Sequence, residues 1–258
     1  MSARGNRKAV MKRLQPVLGA AVLVVLWWLA SEGRLVDPVL LPTPADSWHA
    51  FVSGLTEGTL WHDFWRTIVR TTVSFVIAIV IAVPVGVFLG SSETIYRSVE
   101  FSVDFFRSTP ASALFPLFLV IFGVGEEAKI AVAAFGAALI IVFNTAYGVM
   151  NARKQRQLAA RVMGAPQFRI LTDVTIWESL PQTFVGMRSG ISIALVIVIV
   201  AEMFIGSTDG LGQRIINAQM IFDMPEMYAS IFAAGALGYG LNLLFIILER
   251  RFVHWGGK

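Results

Sequence analysis

The stretch TFVGMRSGISIALVIVIVAEMFIG, residues 183–206, decides the architecture. It carries two charges, Arg188 and Glu202, around the run 191–200, apolar but for Ser192. As a helix it reaches about 36 Å, more than the roughly 30 Å hydrocarbon core of a bilayer. The run is too long for a barrel strand and shows no period of two, so it reads as a membrane-spanning helix.

Five further apolar segments repeat the pattern, at residues 16–30, 67–90, 110–124, 130–150 and 228–248. Composition agrees with them. Of 258 residues, 56% are hydrophobic and 15% charged, with a mean hydropathy of +0.69. A soluble domain carries about a quarter charged residues, and a disordered chain needs more charge and fewer apolar residues still. The expected fold class is all-α, a polytopic membrane protein with about six transmembrane helices. The first segment has a second reading, because five basic residues before an apolar core also describe a signal peptide. The cleavage site is poor, since Trp28 stands where Trp28-Leu29-Ala30 needs a small residue, so an uncleaved first helix is expected.

Lys and Arg set the orientation. With the N-terminus cytoplasmic, the inner flanks hold Arg4, Arg7, Lys8, Lys12, Arg13, Arg97, Arg107, Arg153, Lys154, Arg156, Arg161, Arg169, Arg250, Arg251 and Lys258. The outer flanks hold Arg34, Arg66, Arg70, Lys129 and Arg214, and Arg188 lies near the inner start of the fifth helix. Both termini are therefore expected in the cytoplasm. No basic cluster is interleaved with stacking aromatics, so nucleic acid is not an expected partner.

Three connections carry information. The outer loop 31–66 contains Leu41-Pro42-Thr43-Pro44, after which Thr43 or Asp46 can cap a short helix with Trp48, Phe51, Val52 and Leu55 at helical spacing. That helix reads as interfacial, with Trp at headgroup depth. The inner loop 151–180 holds good helix formers up to Met163, then Gly164 to end the helix and Pro166 to begin another. Two short helices with a sharp corner are expected. Leu158, Val162 and Met163 form an apolar stripe there, with Ala159 and Ala160 leaving room for close approach. The stripe packs either on the chain's own helix ends or against a partner. The outer loop 206–227 reads as a glycine turn around Asp209 followed by an amphipathic stretch, residues 215–222.

Catalytic chemistry is missing. The chain has no Cys, and its only histidines, His49, His62 and His254, cannot share a site because the first two fall in an outer loop and the third at the inner C-terminus. No nucleophile elbow occurs, and none of the five lysines sits in a phosphate-binding loop. The chain is not expected to be an enzyme or to hydrolyse ATP by itself. Intramembrane polar residues mark candidate functional positions. Glu202 reads either as an interfacial carboxylate or as part of a pathway or gate. Asn144 either bonds a neighbouring helix or lines a path. Arg188 either snorkels to lipid phosphate or meets a substrate. Gly86/Gly90 and Gly186/Gly190 permit close helix packing.

These residues carry a resemblance. The inner loop is similar to the cytoplasmic signature of the binding-protein-dependent permease family of bacterial ABC importers, an EAA triplet, a G after three residues and a later LP. Ala159, Ala160, Gly164, Leu180 and Pro181 match it, whereas Leu158 replaces the usual Glu and Trp177 stands where many members have Pro. The chain looks most like the nitrate, taurine and alkanesulfonate branch. Residues 41–44, then Arg107, Pro110, Ala113, Pro116, Leu117, Phe122, Gly123 and Lys129 follow that branch's pattern. So do Gly186, Arg188, Ala201, Glu202, Gly210, Leu211 and Gly212.

The resemblance implies a type I ABC importer transmembrane domain over residues 63–250, with an N-terminal segment 1–62, a cytoplasmic tail 251–258 and coupling helices at about 152–175. It implies a second permease copy, identical in the expected homodimer, two ATPase subunits and an extracytoplasmic solute-binding protein, in the bacterial inner membrane. ATP and Mg would bind the ATPase, and no cofactor this chain. Leu158, Ala159, Ala160, Arg161, Val162, Met163, Gly164 and Ala165 would couple to the ATPase, with Asn144, Arg188 and Glu202 as candidate pathway or gate residues. The substrate would be a small solute, with an organic or inorganic anion such as a sulfonate, nitrate or bicarbonate expected. The outer cations Arg66, Arg70 and Lys129 suit an anion, and suit lipid headgroups equally. A non-transporting membrane scaffold and a membrane-embedded enzyme are the alternatives.

Overall fold

The computed structural model describes residues 3–253, with side chains from Leu18 onward and that of Gln15. The basic side chains of Arg4, Arg7, Lys8, Lys12 and Arg13, and the tail residues His254 and Lys258, lie outside what it describes. No strand occurs among the described residues. The helices are α1 (Ala3–Glu32), α2 (Pro44–Thr56), α3 (Thr59–Gly90), α4 (Glu93–Ser108), α5 (Phe115–Phe122), α6 (Glu126–Met150), α7 (Lys154–Val162), α8 (Gln167–Ile170), α9 (Ile176–Phe204), α10 (Leu211–Met220) and α11 (Met224–Phe252). The chain divides into two compact units.

One unit comprises Met1–Trp61 and Arg214–Phe232. Val22, Leu23, Val24 and Val25 on α1 are all exposed, as a helix wrapped in lipid requires. Trp27 closes the helix end: its indole Nε1 donates to the Pro42 carbonyl at 3.0 Å, and its ring stacks on Tyr228 at 5.6 Å. Thr43 caps α2 and Asp46 completes the box, its carboxylate accepting from the Thr43 backbone. Trp48, Val52 and Leu55 of α2 are exposed.

The other unit comprises His62–Gln213 and Ala233–Lys258. Its core is α6 with α3 and α9 against it. Phe75, Ala78 and Ala82 of α3 meet Ala137 and Ile141 of α6, Ile191 and Ala194 of α9 and Phe245 of α11. Small residues bring the backbones together. A Cβ on Gly86 would stand 2.6 Å from the Thr145 Cβ, and one on Gly186 2.5 Å from the Asn144 Cβ. The two glycine pairs thus serve α3–α6 and α9–α6 packing within the chain.

These contacts fix direction. Arg70 of α3 pairs with Glu126 at the start of α6, and Gly90 meets Ala146 and Val149 near its end. So α3 and α6 run parallel, and the segment between them must cross from one end of the unit to the other. That crossing is broken. The predicted third segment, 110–124, is not one helix: a 3₁₀ turn, Ala111–Leu114, leads into the eight-residue α5, and the α4–α5 pair bends by 91°. Pro110 removes a helical N–H and holds Thr109 extended, with φ −79° and ψ 124°.

Among the described residues, four helices are long and apolar enough to cross a membrane: α3, α6, the continuous 38-residue run Gln167–Phe204 and α11. The bent pair makes a fifth when counted as one span. Of α1, the part Leu18–Glu32 is apolar but shorter.

Candidate functional site

Two constellations stand out, at opposite ends of α9. At its start lies the predicted corner. α7 is nine residues long, and Gly164 ends it at φ +84°, a conformation that favours glycine. The Ala165 N–H donates to Ala160 O and the Gly164 N–H to Arg161 O, both at 3.0 Å, which completes a Schellman turn. Of the stripe residues, Val162 is 85% and Met163 80% exposed, and Leu158 is exposed as well. Only Ala160 of α7 is buried. The stripe therefore does not pack on the chain's own helix ends. The second short helix is not separate. α8 passes through a π turn, Leu171–Thr175, straight into α9. Pro181 sits within α9 without ending it.

At the other end α9 delivers Glu202 into a buried ion cluster. Arg70 is its hub, 2% exposed, and every guanidinium N–H has an acceptor. Nε and Nη2 form a bidentate pair with the Glu126 carboxylate at 2.7 Å each. Nη1 donates to Glu202 Oε1 at 2.7 Å and to the Asp209 carbonyl at 2.9 Å, and Nη2 also donates to Asp209 Oδ1. Glu202 is fully buried and accepts from Thr67 Oγ1 at 3.0 Å and from the Gly212 N–H at 2.9 Å. A carboxylate at the first N–H groups of α10 is where the helix dipole favours it. Its oxygens face this network, away from the exterior. Arg66 pairs with Asp209 at 3.0 Å and Glu126 at 3.6 Å, and Lys129 donates to Glu126 at 3.2 Å and Ser207 Oγ at 3.0 Å.

Three cations, Arg66, Arg70 and Lys129, thus face three carboxylates, Glu126, Glu202 and Asp209. The turn 206–210 is sewn into the cluster, with the Gly210 N–H on Asp63 Oδ1 at 2.8 Å and the Leu211 N–H on Thr67 Oγ1 at 2.9 Å. Burial pulls the Asp209 carboxyl upward in pKa, but the Arg70 hydrogen bond and the Arg70 and Arg66 charges outweigh it and hold the group below the usual Asp range. By sequence the outer cations suit an anion or lipid headgroups. They are matched internally instead, so the cluster offers no free positive charge to a substrate.

The other candidates lie between the two ends. Asn144 is half-buried: its Oδ1 accepts from Gln182 Nε2 of α9 at 2.8 Å and its Nδ2 donates to Ile140 O at 2.9 Å. Arg188 is 3.8 Å from Glu249 of α11. The structure does not bring Asn144, Arg188 and Glu202 together. Sequence reading missed the carboxylate partners of Arg70 and the contact of Glu178 with Arg153 and Arg156. One signal was available: Arg66 and Arg70, four apart on an apolar helix, need buried counter-charges.

Residues 82–255 match the family model described as "Binding-protein-dependent transport system inner membrane component". A probable ABC transporter permease protein of Brucella melitensis is 33% identical over 93% of this chain and 96% of its own length. The taurine transport system permease protein TauC of Escherichia coli is 26% identical over 92% of this chain and 88% of its own. Among solved structures, an inward-facing MetNI methionine ABC transporter gives a TM-score of 0.65 at 25% identity, covering 73% of this chain and 93% of that one.

Proposed function

Since the chain belongs to the family of binding-protein-dependent transport system inner membrane components, and is a multi-pass ABC importer permease subunit, we propose the assembly and cargo it works with. Two copies form one translocation path, with residues 63–250 of each as the permease domain. Two ATPase subunits bind ATP and Mg and dock on Leu158 to Ala165. A solute-binding protein delivers cargo on the opposite side, and both termini lie in the cytoplasm. The single observation that carries this reading is the corner itself: a short helix with an exposed apolar stripe, closed by Gly164, and followed by a second helix continuous with α9. An apolar patch facing the cytosol needs a partner.

Alternating access requires that each partner bind the two conformations unequally. Docking and separation of the ATPases act on α7, and α9 carries the displacement toward Glu202. Glu202, through Arg70, holds the gate at the far end closed around the turn 206–210. Asn144 and Arg188 form part of the wall of the path between. The cargo is a small organic or inorganic anion such as a sulfonate, nitrate or bicarbonate. The likeness to a taurine permease supports this, since taurine is a sulfonate; the matched charges of the cluster do not. Uptake of radiolabelled taurine, nitrate and bicarbonate by cells with and without the chain tests the cargo class. Loss of one uptake on deletion is expected, and unchanged uptake of all three overturns the anion assignment.

A further inference from the structure

α7 is held to its own unit by little. Its apolar stripe faces outward and only Ala160 is buried. A nine-residue helix is marginal by itself, so its fixed contacts decide where a push on it goes. They fall on the end of the π turn and the first turn of α9. Arg156 Nη1 pairs with Glu178 Oε1, and Arg153 Nε lies 3.7 Å from Glu178 Oε2. Gln157 Nε2 donates to Thr175 Oγ1 at 3.2 Å, and that hydroxyl donates to Ile170 O at 3.1 Å. Both arginines are more than half exposed, while Glu178 is 11% exposed.

The position of Glu178 matters because of what precedes it. The π turn Leu171–Thr175 is the irregular part of an otherwise continuous helix, with the Ile176 N–H bonded to Leu171 O five residues back. Such turns are among the places where helices kink. A push passed through α8 alone would meet that turn. Glu178 lies just beyond it, in the first turn of α9. From there α9 rises through about 36 Å to Glu202 in the Arg70 cluster. The helix is gripped by an arginine–glutamate contact at each end.

We infer that Glu178 is a positioning residue: its clasp with Arg153 and Arg156 bypasses the π turn and carries displacement of α7 directly into α9. This rests on the proposed docking of an ATPase at α7. The clasp contributes little to folding, because ion pairs with exposed arginines are worth little. Its loss therefore separates coupling from assembly.

The test uses the complete complex, recovered with its ATPase and binding protein and reconstituted in lipid nanodiscs. Phosphate release is measured with and without the binding protein, and the ratio of the two rates reports coupling. Glu178→Gln is expected to keep the ATPase bound and to lower the ratio about 2- to 30-fold, the range for residues along a coupling route. Arg156→Gln is expected to lower it too, and the double variant no further than Glu178→Gln alone, because both remove the same contact. A Glu178→Gln complex with the parent ratio overturns the inference, as do strictly additive losses or loss of the ATPase. If the parent complex holds no ATPase, or shows no stimulation, it is the docking proposal that fails.

Discussion

Replacing Arg70 by Lys keeps the charge and removes the geometry. The guanidinium uses five N–H donors on Glu126, Glu202 and Asp209, and an ammonium has three. At least two charge-assisted hydrogen bonds are lost, each worth about 1.5–3 kcal/mol net. Glu126 is partly exposed and regains water, while Glu202 does not. The lower end, about 3 kcal/mol, is therefore expected. For a chain of this size that lowers the melting temperature by about 6–12 °C. The assay is thermal unfolding of the purified chain in detergent, followed by the fluorescence of its seven tryptophans. Arg66→Lys is the internal reference. Arg66 is 36% exposed, so its replacement is expected to cost no more than about 1 kcal/mol. Equal shifts for the two variants refute the reasoning, because they would show that burial and saturation at Arg70 carry no stability.

Three other outcomes follow from the geometry. Gly164→Glu forces a residue with a Cβ into the left-handed region at φ +84°, at about 1–2 kcal/mol, so membrane insertion is expected to survive and ATPase co-purification to be lost; full recovery of the ATPase contradicts this. Gly186→Ala sets a Cβ 2.5 Å from the Asn144 Cβ and is expected to destabilise by about 1–3 kcal/mol, whereas Gly235→Ala, with nothing within 4 Å, is expected to lose nothing; thermal melts compare them directly. Asp209 is held below the usual Asp range by Arg70 and Arg66, so its stabilisation is full above about pH 4 and fades as pH falls through the depressed value. The melting-temperature gap between the parent and Asp209→Asn is therefore expected to be constant from pH 7 to about pH 5 and to close in stronger acid, and a gap that widens there counts against the assignment.

The sequence made the long apolar helices legible, because bilayer thickness alone sets their length and leaves a stretch such as 183–206 no other reading. The corner at Gly164 was legible for the same local reason, a helix former run ended by a residue free to turn left-handed. What escaped was whatever depends on pairing between distant segments. Nothing near Arg70 in sequence names Glu126, Glu202 and Asp209 as its partners, which stand 56, 132 and 139 residues away. The cations were visible and their counter-charges were not, and so they suggested an anion site. The broken crossing escaped because the apolar run 110–124 satisfies hydropathy while Pro110 and the 3₁₀ turn decide its geometry. The contact of Glu178 with Arg153 and Arg156 escaped because it pairs residues 25 and 22 positions apart across a π turn that composition does not announce.

The proposed role is that of the membrane half of an ATP-driven importer, worked through the corner around Gly164. The most direct measurement is a mild-detergent purification of the tagged chain from its native membrane, with every retained protein identified by mass spectrometry. Recovery of an ATPase subunit together with an exported solute-binding protein is predicted, with the ATPase released by Gly164→Glu. Recovery of the chain alone, or with membrane proteins that include no ATPase, would contradict the account and return the scaffold and enzyme readings to consideration.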